Sequence, residues 1–421
     1  MHSHKRPDCT PFSTVRGDFS TIIAIFVVRY PYDGCAQIVS LSGYATTSFI
    51  MDNFVVSARK YRPDTFRSVV GQASITTTLK NAIQRKQLAQ AYLFCGPRGV
   101  GKTTCARIFA KTINCEHLTD EFEACNQCES CTSFNASRSY NIHELDAASN
   151  NSVDGIRKLI EMVRVPPQLG RYSVYIIDEV HMLSQSAFNA FLKTLEEPPA
   201  HAIFIMATTE KHKILPTILS RCQIFDFNRI KVDDTVQYLQ HIAQQEGVQA
   251  EDEALNIIAQ KADGAMRDAL SIFDQVVSFS DNQITYAKTI EHLNVIDRQH
   301  YFQLTDHFLN GQMAEALRLL DGLLAKGFDA QQFITGLSLH LRNILVGRDP
   351  QTLELLEVGA AFAERYKQMA AKCPPDFLVQ ALSLCNQFDV NFRQSPNQRL
   401  HVELLLIRLC SIVSEKKKPT P

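Results

Sequence analysis

The sequence predicts an α/β domain, with helices on both faces of a parallel sheet, followed by a small helical domain and a larger all-helical one. Three observations predict it. Short continuous apolar runs, AYLFC (Ala91–Cys95), SVYIID (Ser173–Asp178) and AIFIMAT (Ala202–Thr208), alternate with helical patterns, as strands buried on both faces do. Beyond about Asn228 such runs stop, and apolar residues recur at helical spacing, for example Leu317, Leu320 and Leu324. The length of 421 residues allows two or three domains at roughly 150 residues each. With 45% hydrophobic and 21% charged residues, the chain is neither disordered nor fibrous.

Residues 1–50 carry no helical period and no charge pattern. Within them TIIAIFVV (Thr21–Val28) follows a basic start (His4, Lys5, Arg6), a superficial likeness to a signal peptide. No small-residue cleavage site follows, so the run reads as part of an extension or as a buried strand. At Met51 the character changes, and MDNFVVSARKYRPDTFRSVVGQ reads as the start of a protein. The expected initiator is therefore Met51, with the extension an over-long gene start, which an N-terminal mass measurement on natively expressed protein would settle. No run reaches the roughly 18 apolar residues of a membrane span, and a cytoplasmic chain without membrane contact is expected.

The α/β domain is expected over 51–231. A helix at Ser74–Arg85 precedes the strand Ala91–Cys95, a Gly-rich turn and a helix from Lys102 to about Asn114. A cysteine-bearing insertion, a strand at Tyr140–Leu145, the two further apolar strands and a strand-like Gln223–Phe227 follow. The small helical domain, 232–295, should hold three amphipathic helices separated by Gly247 and Asp263-Gly264. Helices then fill 296–413, and SEKKKPTP (414–421) reads as the start of a linker.

Gly96-Pro97-Arg98-Gly99-Val100-Gly101-Lys102-Thr103 fits G-x-x-x-x-G-K-[ST] at every fixed position, after a strand and opening a helix. Its glycines let backbone N–H groups cradle phosphates at the positive end of the helix. Lys102 reaches the outer phosphates, and the Thr103 hydroxyl ligates Mg²⁺. A chance match in a glycine turn would lack the flanking strand and helix. Asp178, at the tip of its apolar strand, suits the magnesium through water, and Glu179 can orient and deprotonate an attacking water. Read alone, the two acids could be a strand cap. Thr208 and Thr209 end the next strand, where a hydroxyl can read the γ-phosphate; the sequence does not choose between them, and a Thr pair is commonly just a turn. Arg221 and Arg267 would be surface salt-bridge partners on composition alone, yet phosphoryl transfer gains from guanidinium groups in cis or in trans.

Cys115, Cys125, Cys128 and Cys131 form C-x9-C-x2-C-x2-C within polar segments. Four thiolates with no open position suit a structural Zn²⁺; an iron–sulfur cluster is the alternative, with no redox partner motif to favour it. The other eight cysteines are scattered, with Cys95, Cys105 and Cys222 expected in the core. A net charge of -1, from 43 basic and 44 acidic side chains, argues against a chain that coats nucleic acid by itself.

ARKYRPDTF with VVGQ (Ala58–Gln72), GPRGVGKT, the four-cysteine insertion, IIDEVHML (Ile176–Leu183), FLKTLEEPP (Phe191–Pro199), ATTE and TILSRC together resemble the gamma/tau family of bacterial DNA polymerase III subunits. These are the AAA+ ATPase motors of the replicative clamp loader. The likeness runs from about Val55 to the end of the chain, dense through Arg267 and looser beyond. It implies an AAA+ domain with a zinc-bearing insertion, a helical lid and an all-helical collar used in oligomerisation. It implies that Gly96 through Thr103, with Thr104, bind ATP, that Asp178 serves Mg²⁺, and that Glu179 is the catalytic base. Thr208 or Thr209 would be the first sensor, Arg267 the second sensor in cis, and Arg221 the arginine finger in trans. Tyr61, Arg62, Pro63 and Gly71 would line the adenine pocket.

The implied partners are delta and delta-prime subunits and further gamma/tau copies in a hetero-pentamer, the sliding clamp, and primer–template DNA. DNA phosphates would meet helix N-termini such as Ser149–Arg157, where Arg157 and Lys158 supply the charge but relatives are more basic. A tau form would continue past Pro421 with helicase and polymerase contacts, so the chain reads as a short gamma-like form or a fragment. No polymerase carboxylate constellation is visible, so ATP hydrolysis is expected and polymerisation is not. Two other readings compete. A branch-migration helicase would not be expected to carry the four cysteines, and Glu179 argues against an ATP-binding scaffold.

Overall fold

The computed structural model describes residues 55–416, except 150, 152, 168, 169 and 357, and two short strands before them. Those strands, β1 (Phe26–Arg29) and β2 (Ala36–Val39), pair antiparallel with Phe26 opposite Val39, so the end of the apolar run Thr21–Val28 lies in a strand. They belong to one unit and the chain from Ser57 onward to a second. The expected initiator Met51 and residues 417–421 lie outside the described residues, while residues 414–416 of the expected linker instead continue the last helix, Gln398–Lys416.

The second unit opens with a five-stranded parallel sheet of β3 (Ala91–Cys95), β4 (Ile142–Asp146), β5 (Ser173–Asp178), β6 (Ala202–Thr208) and β7 (Gln223–Asp226), in the order β4-β5-β6-β3-β7. The apolar runs are the three inner strands: every residue of β3 and β6 is buried, as is β5 up to Asp178. Strands β4 (IHELD) and β7 (QIFD) stand at the edges, and neither is buried along its whole length. Strand β4 starts two residues later than Tyr140, because Tyr140 remains 80% exposed. Successive inner residues face opposite sides: Phe94, Ile176 and Ile205 meet Leu79 and Phe109, while Leu93, Ile177 and Phe204 meet Phe191. Helices Ala73–Gln84 and Lys102–Ile113 carry the first of these layers, and Gln185–Glu196 the second. Cys95 and Cys105 are buried as expected, and Cys222 partly so.

The helical lid packs Val232–Glu246, Asp252–Lys261, Met266–Ser280 and Tyr286–His292 around Leu239, Ile258 and Phe273. Two features correct the sequence reading. The fourth helix is only seven residues long, too short to show a period, and is marked by its cap, where Thr285 Oγ1 accepts from the Lys288 N–H. Strands also do not stop at Asn228: β8 (Gln249–Ala250) and β9 (Gln283–Ile284) form a parallel two-residue ladder, which needs no apolar run.

The helical collar comprises Arg298–Asn310, Met313–Ala325, Ala330–Val346, Ala360–Lys372, Pro375–Asn391 and Gln398–Lys416. Its core includes Leu304, Phe308, Leu337, Leu341, Leu405 and Leu409, with Leu320 buried and Leu317 and Leu324 packed at its margin. Among the described residues no helix is long and apolar enough to cross a membrane.

Candidate functional site

Strand β6 lies between β5 and β3, with Ile177 opposite Met206 and Cys95 opposite Thr208. The register brings the P-loop, the acidic pair and the two threonines to one carboxyl edge of the sheet. That edge lies where the strand order reverses, the usual ligand crevice of such sheets. Gly96 N–H donates to the Thr208 carbonyl (3.2 Å), tying the start of the P-loop to β6.

The P-loop is shaped by glycines in the left-handed region. Gly96 has φ +145°, and a Cβ there would lie 2.4 Å from the Phe227 carbonyl oxygen. Gly99 has φ +77°, and a Cβ there would sit 2.9 Å from Ala265 Cβ on the lid. Gly96→Ala is expected to destabilise the fold by about 2–4 kcal/mol, because strain and a backbone clash add. Urea denaturation checks this, and a midpoint equal to the parent's would refute it.

Lys102 opens the helix, 6% exposed, and its Nζ donates to the carbonyls of Gly96 (2.8 Å) and Pro97 (2.6 Å). Burial pushes its ammonium pKa down, against the pull of Glu179 and Asp178. Thr103 Oγ1 donates to Asp178 Oδ2 (2.7 Å), so the two expected magnesium ligands already meet. Arg98 is exposed and Val100 buried, and Pro97, Gly101 and Thr104 are partly buried. The oxygen set of Thr103 and Asp178, beside an invaginated cation, suits Mg²⁺ bound to phosphates.

Glu179 follows β5 with φ +48°, a conformation non-glycine residues seldom take, which aims its carboxylate across to β6. Its Oε2 accepts from Thr209 N–H (3.3 Å) and Oγ1 (3.0 Å). Thr208 is buried, lies 3.1 Å from His181 Nδ1 and accepts the Glu210 N–H. Of the two threonines, Thr209 therefore touches the acid. His181, not singled out from the sequence, stands between Glu179 Oε2 (3.4 Å) and Glu210 Oε2 (3.3 Å). Its place in Asp-Glu-Val-His was the available signal.

The segment before the helix Ala73–Gln84, which opens with the short helix Ser57–Lys60, runs along the lid and the P-loop helix. Tyr61 Oη donates to Glu246, Tyr238 Oη donates to the Tyr61 carbonyl (2.9 Å), and Ser57 N–H donates to Asp274 Oδ2 (2.8 Å). Arg62 Nε donates to Thr104 Oγ1 (3.4 Å). Although part of Arg62 reaches solvent, desolvation lowers its guanidinium pKa, helped by Arg107 and Arg267 and opposed by Glu144 and Asp178. Arg62 thus sits among the charges of the phosphate side. Pro63 is partly buried, and Gly71 abuts Ile230, with room for a Cβ only 3.0 Å from its Cγ2. Gln72, also missed, is buried and donates to the carbonyls of Asn228 (2.8 Å) and Val100 (3.5 Å).

Arg267 N–H donates to the Gly99 carbonyl (3.4 Å), so the lid helix begins against the P-loop of the same chain. Arg221 is turned elsewhere: Nη2 donates to Glu196 Oε1 (2.9 Å), and Nη1 donates to the Thr217 carbonyl (2.7 Å). Of the segment Ser149–Arg157 expected to face DNA, Asn150 and Ser152 lie outside the described residues. Arg157 pairs with Asp154 (3.6 Å), and Lys158 is exposed on the helix Val153–Val163.

The four cysteine sulfurs lie within 4.8 Å of one another, with Cys115 and Cys128 4.0 Å apart. Thiolates about 2.3 Å from a tetrahedral zinc would be about 3.8 Å apart, close to the 4.0 Å between Cys115 and Cys128, so the four donors suit Zn²⁺. Backbone N–H groups of Gln127 and Cys128 donate to Cys125 Sγ, and these bonds lower its pKa to about 6. Such N–H bonds favour a thiolate, the form that binds metal.

Three family models match the chain in tandem: DNA polymerase III, delta subunit, over residues 71–231; DNA polymerase III clamp loader subunit, ATPase lid domain, over 234–282; and DNA polymerase III subunits gamma and tau domain III, over 284–420. DNA polymerase III subunit tau of Bacillus subtilis (strain 168) is 39% identical over 363 residues, 86% of this chain and 64% of that one. DNA polymerase III subunit tau of Escherichia coli (strain K12) is 35% identical over 373 residues, 88% of this chain and 57% of that one. DNA polymerase III subunit gamma of Buchnera aphidicola subsp. Acyrthosiphon pisum (strain APS) is 32% identical over 367 residues, 86% of this chain and 100% of that one. The chain therefore spans less than two thirds of the tau relatives and the whole of a gamma relative. Among solved structures, the Thermotoga maritima RuvB Holliday junction branch migration motor aligns with a TM-score of 0.43 and 18% identity, over 59% of this chain and 79% of that one. That likeness is too weak to say anything about function.

Proposed function

Because the chain belongs to the gamma/tau family of DNA polymerase III clamp-loader subunits, we propose that it is an ATP-hydrolysing motor that opens a sliding clamp and loads it on primer–template DNA. One observation carries this reading. A buried P-loop lysine, a Thr–Asp pair and a glutamate held at positive φ converge on one sheet edge, with a lid arginine at the P-loop.

In the proposed mechanism the P-loop N–H groups and Lys102 hold the phosphates of ATP, and Lys102 exchanges its carbonyl partners for phosphate oxygens. Thr103 and Asp178 would hold Mg²⁺, which neutralises phosphate charge. Glu179, oriented by Thr209, takes the proton of the attacking water. Thr209 is the first sensor, relaying the γ-phosphate state to Glu179, and His181 positions that acid from the other side. Arg267 reads the γ-phosphate in cis, so that lid and P-loop close together. Tyr61, Pro63 and Gly71 border the base and ribose side, and Arg62, beside Thr104, lies between that side and the phosphates. Cys115, Cys125, Cys128 and Cys131 hold a structural Zn²⁺.

Arg221 serves the site of a neighbouring subunit, a reading supported by its having no P-loop residue among its hydrogen-bond partners. The partners would be delta-type and delta-prime-type subunits, further copies of this chain, the clamp and primed DNA. The test is steady-state ATP turnover of the chain alone and with those components. The expected result is weak basal turnover that rises only when all are present, and a fall of roughly 10³-fold in stimulated turnover for Arg221→Ala at unchanged ATP affinity. Strong turnover by the isolated chain on any duplex would refute the motor reading. An equal loss of affinity in Arg221→Ala would refute the role in trans.

A further inference from the structure

We propose that Glu123 is a positioning residue for the nucleotide pocket, through which metal occupancy of the four-cysteine centre sets nucleotide affinity. The proposal rests on the reading of the P-loop as an ATP site and of the cysteines as a zinc site.

Glu123 stands two residues before Cys125, in the polar loop between the first two metal-binding cysteines. Its neighbour Glu121 is exposed, yet the Glu123 side chain is only 8% exposed. Its carboxylate accepts three donors from elsewhere in the fold. These are the Phe66 N–H (2.9 Å), the Arg67 N–H (3.2 Å) and Lys80 Nζ (2.6 Å), the last on the helix Ala73–Gln84. A buried carboxylate with every donor charged or backbone is a strong tie, because losing it strands polar groups.

Phe66 and Arg67 end the segment that begins at Ser57 and includes Tyr61, Arg62 and Pro63. The other end of that segment is bound to the lid through Asp274, Tyr238 and Glu246, and its middle meets Thr104 on the P-loop helix. Phe66 itself is buried in the core layer shared with Val100 and Phe109. The strap is thus fixed at one end by the lid and at the other by Glu123, with nucleotide-side residues between. The lid end is mobile with respect to the P-loop in any mechanism in which the lid closes. The Glu123 end is therefore the anchor against which the strap is drawn.

Glu123 is placed by the loop that carries it. Its N–H donates to Thr119 Oγ1 (3.1 Å) and its carbonyl accepts the Thr119 N–H (3.0 Å), with Phe122 at φ +58°. The loop is closed where Cys125 N–H donates to Cys115 Sγ (3.3 Å). A metal held by both sulfurs locks that closure. Without it the cysteine end of the loop is closed only by weak N–H to sulfur bonds, with the Thr119–Glu123 pair left to hold the rest, and the anchor becomes less fixed. A second tie runs from Lys111 Nζ on the P-loop helix to Asn126 Oδ1 (2.6 Å), so the linkage need not be carried wholly by Glu123.

The test uses the full chain, a fluorescent ADP analogue read by anisotropy, and zinc content read with a chromophoric chelator. For the parent, stripping zinc should weaken the analogue about five-fold or more, the usual lower bound for linked sites. Glu123→Ala, zinc-loaded, should weaken it to a similar degree, and stripping its zinc should then add clearly less than in the parent. Glu123→Gln, which keeps an acceptor for the backbone N–H groups, should recover part of the loss. Thermal melts serve as the control for folding, and Glu123→Gln stands in if Glu123→Ala does not fold. By reciprocity, saturating ADP should raise the parent's equilibrium affinity for zinc, read by chelator competition, by the same factor. Equal analogue affinity with and without zinc in the parent, or an unreduced zinc effect in the Glu123 variants, would overturn the proposal. A parent that binds no nucleotide, or no zinc, would overturn the underlying site reading as well, and that result is told apart from a parent that binds both without linkage.

Discussion

Glu179→Gln is expected to bind ATP as tightly as the parent and to lose turnover by roughly 10²–10⁴-fold, the range that a positioned general base supplies. The substitution preserves shape. A Gln carbonyl oxygen can still accept from Thr209 N–H and Oγ1, which now hold Glu179 Oε2 at 3.3 and 3.0 Å. The left-handed backbone at φ +48° is no worse for Gln than for Glu. What disappears is the ability to take a proton from water. The measurement is single-turnover hydrolysis alongside equilibrium binding of a fluorescent nucleotide. Retained turnover would remove Glu179 from the mechanism, and a parallel fall in affinity would make it a binding residue instead.

Lys102→Ala acts on the opposite term. The ammonium is buried and desolvated before nucleotide arrives, held by two carbonyls of its own loop. Its attraction to phosphate is therefore strong and little screened, at about 1.5–3 kcal/mol for each charge-assisted hydrogen bond. Nucleotide affinity should fall by roughly 10²-fold. The fold itself should hold, because removing a buried cation also removes its desolvation cost. The midpoint without nucleotide should stay near the parent's, while the rise in midpoint on adding ATP should shrink sharply. Differential scanning fluorimetry with and without ATP reads both. An ATP-induced shift of parental size would refute the role of Lys102.

Much of this site is legible in the sequence, because the chemistry is local. A strand, a glycine turn and a helix start are contiguous from Ala91 to Ile113, and the limits of β3, β5 and β6 coincide with their apolar runs. The cysteines are read from spacing alone, and their sulfurs do converge. Glu123 is not legible, since Phe66 and Arg67 lie 57 and 56 residues away and nothing in a polar loop marks one acid among several. His181 is partly legible, as a neighbour of the acidic pair, but its contact with Thr208 spans 27 residues.

The sequence by itself determined the three inner strands, the glycine turn and the helix that follows it, and it marked the residues expected to hold phosphate, magnesium and zinc. Hydrophobic period, glycine placement and ligand spacing act within a few residues along the chain. Only the tertiary structure decided which strands stand at the edges, that Thr209 rather than Thr208 touches Glu179, that Arg267 meets its own P-loop, and that Glu123 anchors the strap. Those outcomes depend on strand order and register, which are set by packing between segments far apart in sequence. A one-residue change of register would exchange the two threonines without altering a single local pattern.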